Sequence, residues 1–338
     1  MTNFNKIMFY STMMVGTLIT ISSNSWLGMW LGLEINLLSL IPLLSFPKTN
    51  LSSESSLKYF ITQTLASLIL IQSILTLNLT EMVSYIEMSK ASNILMMTSL
   101  LTKMGAAPFH FWLPEMIEGL TWLNSFLIMT WQKIAPMTIL MLTTNPPLLM
   151  SLASIWSILI SGVMGLNQTS LRKIMAYSSI NHLGWMLNSF ILMENLWLWY
   201  MIIYSMLSGF IMITFNLLNI NLINQISSSI YPVNLKILFS MNMFSLGGLP
   251  PFIGFLPKWM VIQIMIKSKL ILPSLLMILL TLLTLYFYMR IAISPLLMKS
   301  FLTKKNYTKM PFKLILVVII NFTMVVALLL ASCISTWV

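Results

Sequence analysis

Leu101–Glu118 reads LTKMGAAPFHFWLPEMIE. It places Lys103 near the middle of an apolar run that begins at about Asn93, and Gly105 and Pro108 then interrupt that run at what should be membrane depth. Proline has no N–H to donate and its ring clashes with the preceding turn, so a straight helix does not pass through it. Broken backbone inside a bilayer is tolerated only where protein buries it or where it lines a wet cavity. An ionisable residue beside such a break marks a functional site by default.

A second copy of the break lies downstream. Gly248-Leu-Pro250-Pro251-Phe-Ile-Gly-Phe-Leu-Pro257 repeats the pattern Gly-x-x-Pro-Phe-x-x-aromatic-Leu-Pro of Gly105–Pro114. Here the lysine, Lys258, follows the break instead of preceding it. Two Gly/Pro-interrupted apolar segments at matching places in two halves are the pattern of a transporter built from inverted repeats.

Composition settles the class. Of 338 residues, 58% are hydrophobic and only 7% charged, with a mean hydropathy of +0.91. Soluble domains carry about 25% charged residues, so this is a polytopic membrane protein. The net charge of +11 does not point to nucleic acid, because most cations sit between apolar runs and not on one basic stripe. The single cysteine, Cys333, excludes a disulfide framework, an iron–sulfur ligand set and a haem-attachment pair. With two histidines, no aspartate and no glycine-rich fingerprint, a redox cofactor has no evident place to bind. The amino terminus runs into a span of membrane length without a signal-peptide cleavage site. Thirty-one methionines suit either a biased organellar genome or adaptable packing in lipid.

A crossing helix needs about 20 apolar residues. Runs of that length predict eleven spans, at roughly 7–24, 27–45, 57–79, 93–113, 121–142, 149–168, 174–193, 197–218, 237–266, 273–294 and 314–335. The expectation is one all-α membrane domain over 1–338, with a first-repeat core at about 27–168, a second at about 174–294 and a terminal helix at 314–335. Eleven spans put the amino terminus and the even-numbered connections on one face. That face collects Lys6, Lys48, Lys58, Arg172, Lys173, Lys236 and the basic run from Lys299 to Lys313, whereas the other has Lys90, Lys267 and Lys269. The asymmetry sets the amino terminus on the negative side, cytoplasm or matrix, and the carboxyl terminus opposite. The Lys299–Lys313 run reads as a solvated loop that fixes topology or meets anionic head groups.

Lys103, Lys133, Lys258 and Arg290 remain within spans, and Glu34 is the one acid placed well inside one. Each central lysine costs about 2.5–3.5 kcal/mol on insertion scales, so the set costs on the order of 10 kcal/mol. A purely structural protein gains nothing from that. Arg290 is near a helix end and free to snorkel. Lys58 lies four residues after Glu54, the spacing of an interfacial ion pair, although neighbouring spans that buried it would give it a place in the charge chain. Burial disfavours an ammonium and a nearby carboxylate favours it. At about 7 Å and an effective dielectric near 20, that attraction is roughly 2.4 kcal/mol. Moving one carboxylate relative to one amine therefore loads or unloads a proton. Glu34 and Lys103 are expected to pair because neither has another evident partner. His110 after the first break and His182 in Ser178-Ser-Ile-Asn-His182 are either hydrogen-bonded packing or members of a relay. Trp112, Trp122, Trp131 and Trp185 read as interface or packing aromatics.

Several stretches are also familiar as residues. Asn24-Ser-Trp-Leu-Gly with Leu33-Glu34-Ile-Asn36, Glu54-Ser-Ser-Leu-Lys58-Tyr-Phe, Lys103-Met-Gly-Ala-Ala-Pro-Phe-His-Phe-Trp112, Thr130-Trp-Gln-Lys133-Ile-Ala-Pro136, the run from Gly165 to Trp185 and Gly247-Gly-Leu-Pro-Pro251 with Gly254-Phe-Leu-Pro-Lys258-Trp resemble the NADH-ubiquinone oxidoreductase chain 2 family. The resemblance runs from about residue 15 to 295, and its flavour is that of a mitochondrially encoded insect or other arthropod member. It implies an antiporter-like fold and a proton-pumping subunit of the membrane arm of respiratory complex I. The family's carboxylate and lysines map by motif to Glu34, Lys103, Lys133 and Lys258, and the lysine of its Lys-Tyr-Phe motif to Lys58. Flavin, iron–sulfur clusters and the quinone pocket then belong to other subunits, and this chain carries no cofactor or metal. Its partners are the other membrane-arm subunits, the sister antiporter-like ones included, with lipids such as cardiolipin; its place is the mitochondrial inner membrane. Bacterial members have three further amino-terminal spans that this sequence starts without, as animal versions do. Two other readings stand beside this one: a stand-alone cation/proton antiporter of the same fold, and a passive scaffold with satisfied lysines.

Overall fold

The computed structural model describes residues 3–46, 49–83, 86–143, 147–192, 196–229 and 233–297. Lys48, the Lys299–Lys313 run, the span expected at 314–335 and Cys333 lie outside them. The described residues form helices and one isolated bridge, between Ser170 and Leu222. The chain divides into two compact units, Met1–Ser157 and Ile158–Val338.

In the first unit, α1 (Asn3–Ser22) packs along α2 (Trp26–Leu44). Glycines make the crossing close: a Cβ on Gly32 would meet the Gly16 carbonyl at 2.8 Å, and one on Gly16 the Gly32 carbonyl at 3.1 Å. Small residues at such crossings bring backbones together where lipid supplies no hydrophobic drive between helices. Ser25 caps α2 by accepting from the Gly28 N–H at 3.2 Å. The long helix α3 (Asn50–Val83) packs on α2, on α4 (Ile86–Met104) and on the short α5 (Trp112–Glu118). Then α6 (Trp122–Met129) and α7 (Trp131–Leu142) follow, with α7 against α1, α2 and α4. Asn124 of α6 donates to the Leu43 carbonyl at 2.9 Å, satisfying one of the orphaned acceptors at the end of α2. Asn124→Leu should leave that carbonyl buried and unpaired, at a cost of about 1–3 kcal/mol. The thermal midpoint of the detergent-solubilised protein would register the loss.

The span expected at 121–142 is interrupted at Thr130, which has φ −119° and ψ −69°. The cause is local. The Thr130 hydroxyl competes for the Phe126 carbonyl at 2.7 Å, and Pro136, inside α7, has no N–H for the Gln132 carbonyl.

In the second unit, α8 (Pro147–Leu166), which starts in the first unit, leads to α9 (Leu171–Leu192). Helix α9 is buried on nearly every side from Ile174 to Ser189, as fits the central helix of a bundle. Around it pack α10 (Leu196–Leu218), α13 (Phe255–Lys267) and α14 (Ile271–Leu297). The short α11 (Ile223–Ser229) and α12 (Val233–Gly247) complete the unit, both against α14. Lys236, placed in a loop by the apolar runs, is within α12 and buried, so it adds nothing to the loop charge that sets orientation. Arg290 does not snorkel: its guanidinium donates to the carbonyls of Leu166 at 3.0 Å and Gln168 at 3.1 Å, capping the end of α8.

Among the described residues six helical segments are long and apolar enough to cross a membrane: Trp26–Leu44, Asn50–Leu79, Trp122–Leu142, Leu148–Leu166, Leu196–Leu218 and Ile271–Leu297. The apolar runs gave eleven. Of the others, 314–335 lies outside the described residues, backbone breaks shorten α4, α12 and α13, and polar residues dilute α1 (Asn5 and Lys6) and α9 (Arg172, Lys173, Asn181 and His182).

Candidate functional site

The two breaks are built alike. Helix α4 stops at Met104, and Gly105 takes φ +72°, a left-handed conformation that favours glycine. Its N–H bonds to the Thr102 carbonyl at 3.2 Å, and that of Ala106 to the Leu101 carbonyl at 3.0 Å. Helix α12 stops at Gly247, and Gly248 takes φ +81°. There the Gly248 N–H bonds to the Ser245 carbonyl at 3.0 Å and that of Leu249 to the Phe244 carbonyl at 3.3 Å. Both pairs are the Schellman arrangement, which closes a helix end with backbone donors. Pro108, Pro250 and Pro251 lie in the linkers before α5 and α13.

In the first unit Lys103 is on the last turn of α4 and 7% exposed. It lines a cavity of about 20 Å³ together with Leu33, Asn36, Leu37, Tyr59, Gln63, Gln132 and Pro136. That volume holds about one water, and the polar partners such a water needs are present. Gln63 donates to the Lys103 carbonyl at 3.3 Å, and Gln132 donates to the Asn36 Oδ1 at 2.9 Å. The Trp112 indole N–H reaches back from α5 to the Thr102 carbonyl at 3.1 Å, so this tryptophan ties the break together beyond packing. Glu34 on α2 acts electrostatically on both the Lys103 amine and the Tyr59 hydroxyl. Its Oε2 is buried without a hydrogen-bond partner among the described residues. The pair expected between Glu34 and Lys103 is therefore an attraction across a gap. Lys133 is on α7, 1% exposed, three residues after the Thr130 interruption and next to the cavity residue Gln132.

His110 is buried in the first break, with Nδ1 3.2 Å from the Pro108 carbonyl and its ring 4.3 Å from that of Phe111. Lys58 is outside the cavity: its side chain is 39% exposed, and its ammonium pairs with Glu54 at 3.0 Å and Glu115 at 3.2 Å. The Glu54 partner is the i,i+4 contact legible in the sequence. Glu115, from α5, was not legible because it comes from the far side of the break.

In the second unit Lys258, 5% exposed, donates from Nζ to the Gly247 carbonyl at 2.8 Å. Trp185 on α9 presents its ring 6.0 Å from that Nζ. His182, one turn earlier on α9, has Nδ1 2.9 Å from the Tyr200 hydroxyl and its ring 4.8 Å from that of Tyr204. Tyr204 faces Ser179 and Ser208, and Tyr288 faces Ser178.

Sequence reading assigned no part in the site to Asn36, Tyr59, Gln63 and Gln132, which line the Lys103 cavity, or to Tyr200 and Tyr204, which lie against His182. A signal existed for some of them. Tyr59 and Gln63 stand four apart on α3, as do Tyr200 and Tyr204 on α10, so each pair shares a helix face. Among the described residues no group of three histidine, cysteine or acidic side chains is placed to hold a metal ion. The arrangement around Lys103 is suited to moving protons: a buried amine, polar side chains, and room for a water beside them.

The sequence matches the family model for NADH:quinone oxidoreductase/Mrp antiporter transmembrane proteins over residues 23–284. It is similar to NADH-ubiquinone oxidoreductase chain 2 of Anopheles gambiae, with 48% identity over 306 residues, 88% of this chain and 89% of that protein. The same-named protein of Locusta migratoria is 44% identical over 313 residues, 91% of each. Among solved structures, the fold is similar to a chain of respiratory complex I from Thermus thermophilus with bound aureothin, at a TM-score of 0.83 and 20% identity, covering 96% of this chain and 78% of that one.

Proposed function

This chain belongs to the NADH-ubiquinone oxidoreductase chain 2 family, and we propose on that premise that it is a proton-translocating subunit of the membrane arm of mitochondrial complex I. The observation that carries the reading is the Lys103 amine, buried at a helix end beside a water-sized polar cavity with Glu34 in electrostatic reach. Electron transfer in partner subunits shifts charge at one end of this one. Glu34 and Lys103 then approach or separate, and Lys103, Lys133 and Lys258 hand a proton along the membrane midplane. His110 and His182 extend the relay. Lys58, held by two glutamates at the surface, orients α5 behind the first break.

The chain in this reading crosses the inner membrane eleven times, with the amino terminus in the matrix and the carboxyl terminus in the intermembrane space. Its two broken helices belong to two inverted repeats, with cores near 27–168 and 174–294. Flavin, iron–sulfur clusters and quinone reside in partner subunits, so the chain is one part of a translocase and not itself a redox protein. Its basic loops meet anionic lipids such as cardiolipin.

A stand-alone cation/proton antiporter is the second reading, favoured by a family model whose description also covers Mrp antiporters. Gentle extraction from native membrane separates the two. A subunit of the respiratory complex should migrate on a native gel with an assembly many times its 38.6 kDa and with NADH oxidation activity. Migration alone or as a small oligomer would sink the first reading.

A further inference from the structure

Lys258 occupies a seat that a proton relay by itself does not require. From the first turn of α13 its side chain folds back across the break, and Nζ meets the Gly247 carbonyl at 2.8 Å. That carbonyl is in the last turn of α12, where acceptors lack intrahelical donors and the helix dipole is negative. The approach depends on the bare backbone of Gly248, where a Cβ would lie 2.9 Å from both Cδ and Nζ of the lysine. Trp185 presents its ring to the same amine, with the centroid 6.0 Å from Nζ. It is 1% exposed, and its indole N–H has no hydrogen-bond partner among the described residues. What this side chain offers is therefore its ring face. Of the aromatic faces, indole attracts an ammonium most strongly, at separations up to about 6 Å. Carbonyl and ring both attract the charged amine, and a neutral amine loses most of both attractions.

We propose that Trp185 is a positioning residue for proton transfer at Lys258: with the Gly247 carbonyl it forms a seat that holds the loaded ammonium withdrawn against the broken end of α12. This rests on the proton-translocating reading above. The seat makes the loaded state of Lys258 a defined geometry from which the amine must move before it delivers its proton.

The test uses the intact respiratory complex in membrane vesicles, scoring protons moved per NADH oxidised and normalising to assembled complex. Trp185→Phe keeps an aromatic face, whereas Trp185→Met and Trp185→Leu are apolar and only slightly smaller than phenylalanine. Packing would move all three alike. The seat predicts that Phe restores proton movement to within about threefold of native, and that Met and Leu lower it about five- to tenfold. Equal pumping per assembled complex by the three variants overturns the proposal. A Lys258→Met arm separates the two levels: native pumping there would remove Lys258 from the relay itself, whereas lost pumping with indifferent Trp185 variants would refute only the seat.

Discussion

Lys103→Met in the assembled complex should lower coupled NADH turnover and proton movement at least tenfold while leaving the amount of complex unchanged. The two halves of that expectation come from one physical fact. Lys103 is 7% exposed, in the last turn of a helix inside the first unit. An ammonium there costs about 2.5–3.5 kcal/mol on insertion scales. Methionine has nearly the same length and flexibility, fits irregular space and carries no charge. Its presence should therefore relieve a cost and not create a cavity, so folding and assembly have no reason to suffer. Function has every reason to. The cavity shared with Asn36, Tyr59, Gln63 and Gln132 would lose its basic side chain, and Glu34 would lose the amine on which its charge acts. Native turnover and native pumping in this variant would leave only the scaffold reading, in which the lysines are passive.

Gly254→Ala should have the opposite character, with loss of the protein and not of one step. Gly254 has φ −66° and ψ −14°, a conformation in which alanine is comfortable, so backbone strain contributes nothing. The obstacle is steric: a Cβ would run into the Ser245 carbonyl, with Leu207 Cδ1 a further 3.4 Å contact. That carbonyl accepts the Gly248 N–H at 3.0 Å, one of the two bonds that close α12. Pushing it aside opens the turn on which Lys258 rests. Overpacking a tight site costs typically 1–3 kcal/mol, and with a helix cap also disturbed the upper end, about 3 kcal/mol, is expected. The level of assembled complex on a native gel should fall severalfold. Gly247→Ala is the control, because the nearest atom to its added Cβ is 3.7 Å away on Tyr288, an ordinary contact. Equal levels for the two variants would show that the fold-back over Ser245 does not hold the break in shape.

How much of this was readable beforehand varies by residue. Membrane class followed from composition alone, since 7% charged residues do not keep a chain of 338 in water. The places where α4 and α12 stop were readable because Gly105 and Gly248 have left-handed backbone and prolines follow them, which is local chemistry. The stop at Thr130 was less so. A threonine bonding to its own preceding turn is common in intact helices, and only with Pro136 six residues on does the strand of backbone bonds part there. Counting apolar runs measures composition and not continuity of backbone, so it does not show where a run such as 93–113 or 237–266 is divided into separate helices. Lys236 and Arg290 show the same limit. Each stands near the edge of an apolar run, where sequence suggests a loop or a snorkelling side chain. One is buried, and the other caps a helix more than a hundred residues away.

By itself, then, the sequence determined that the chain lives in a bilayer, that Lys103, Lys133 and Lys258 are charges a membrane resists, and that backbone breaks stand beside two of them. All of these depend on residue type and on neighbours a few positions away. Only the tertiary structure decided what each charge faces: Lys103 a polar cavity from three other helices, Glu34 a gap in place of a contact, Lys258 a carbonyl and an indole, and Lys58 a surface glutamate from beyond the break. Those partners come from 11 to 96 positions away in paired contacts such as Lys258–Gly247 and Gln132–Asn36. Side-chain pairing over such separations is set by how helices cross, and a crossing is the joint outcome of every packed surface in the bundle, with no local pattern to announce it.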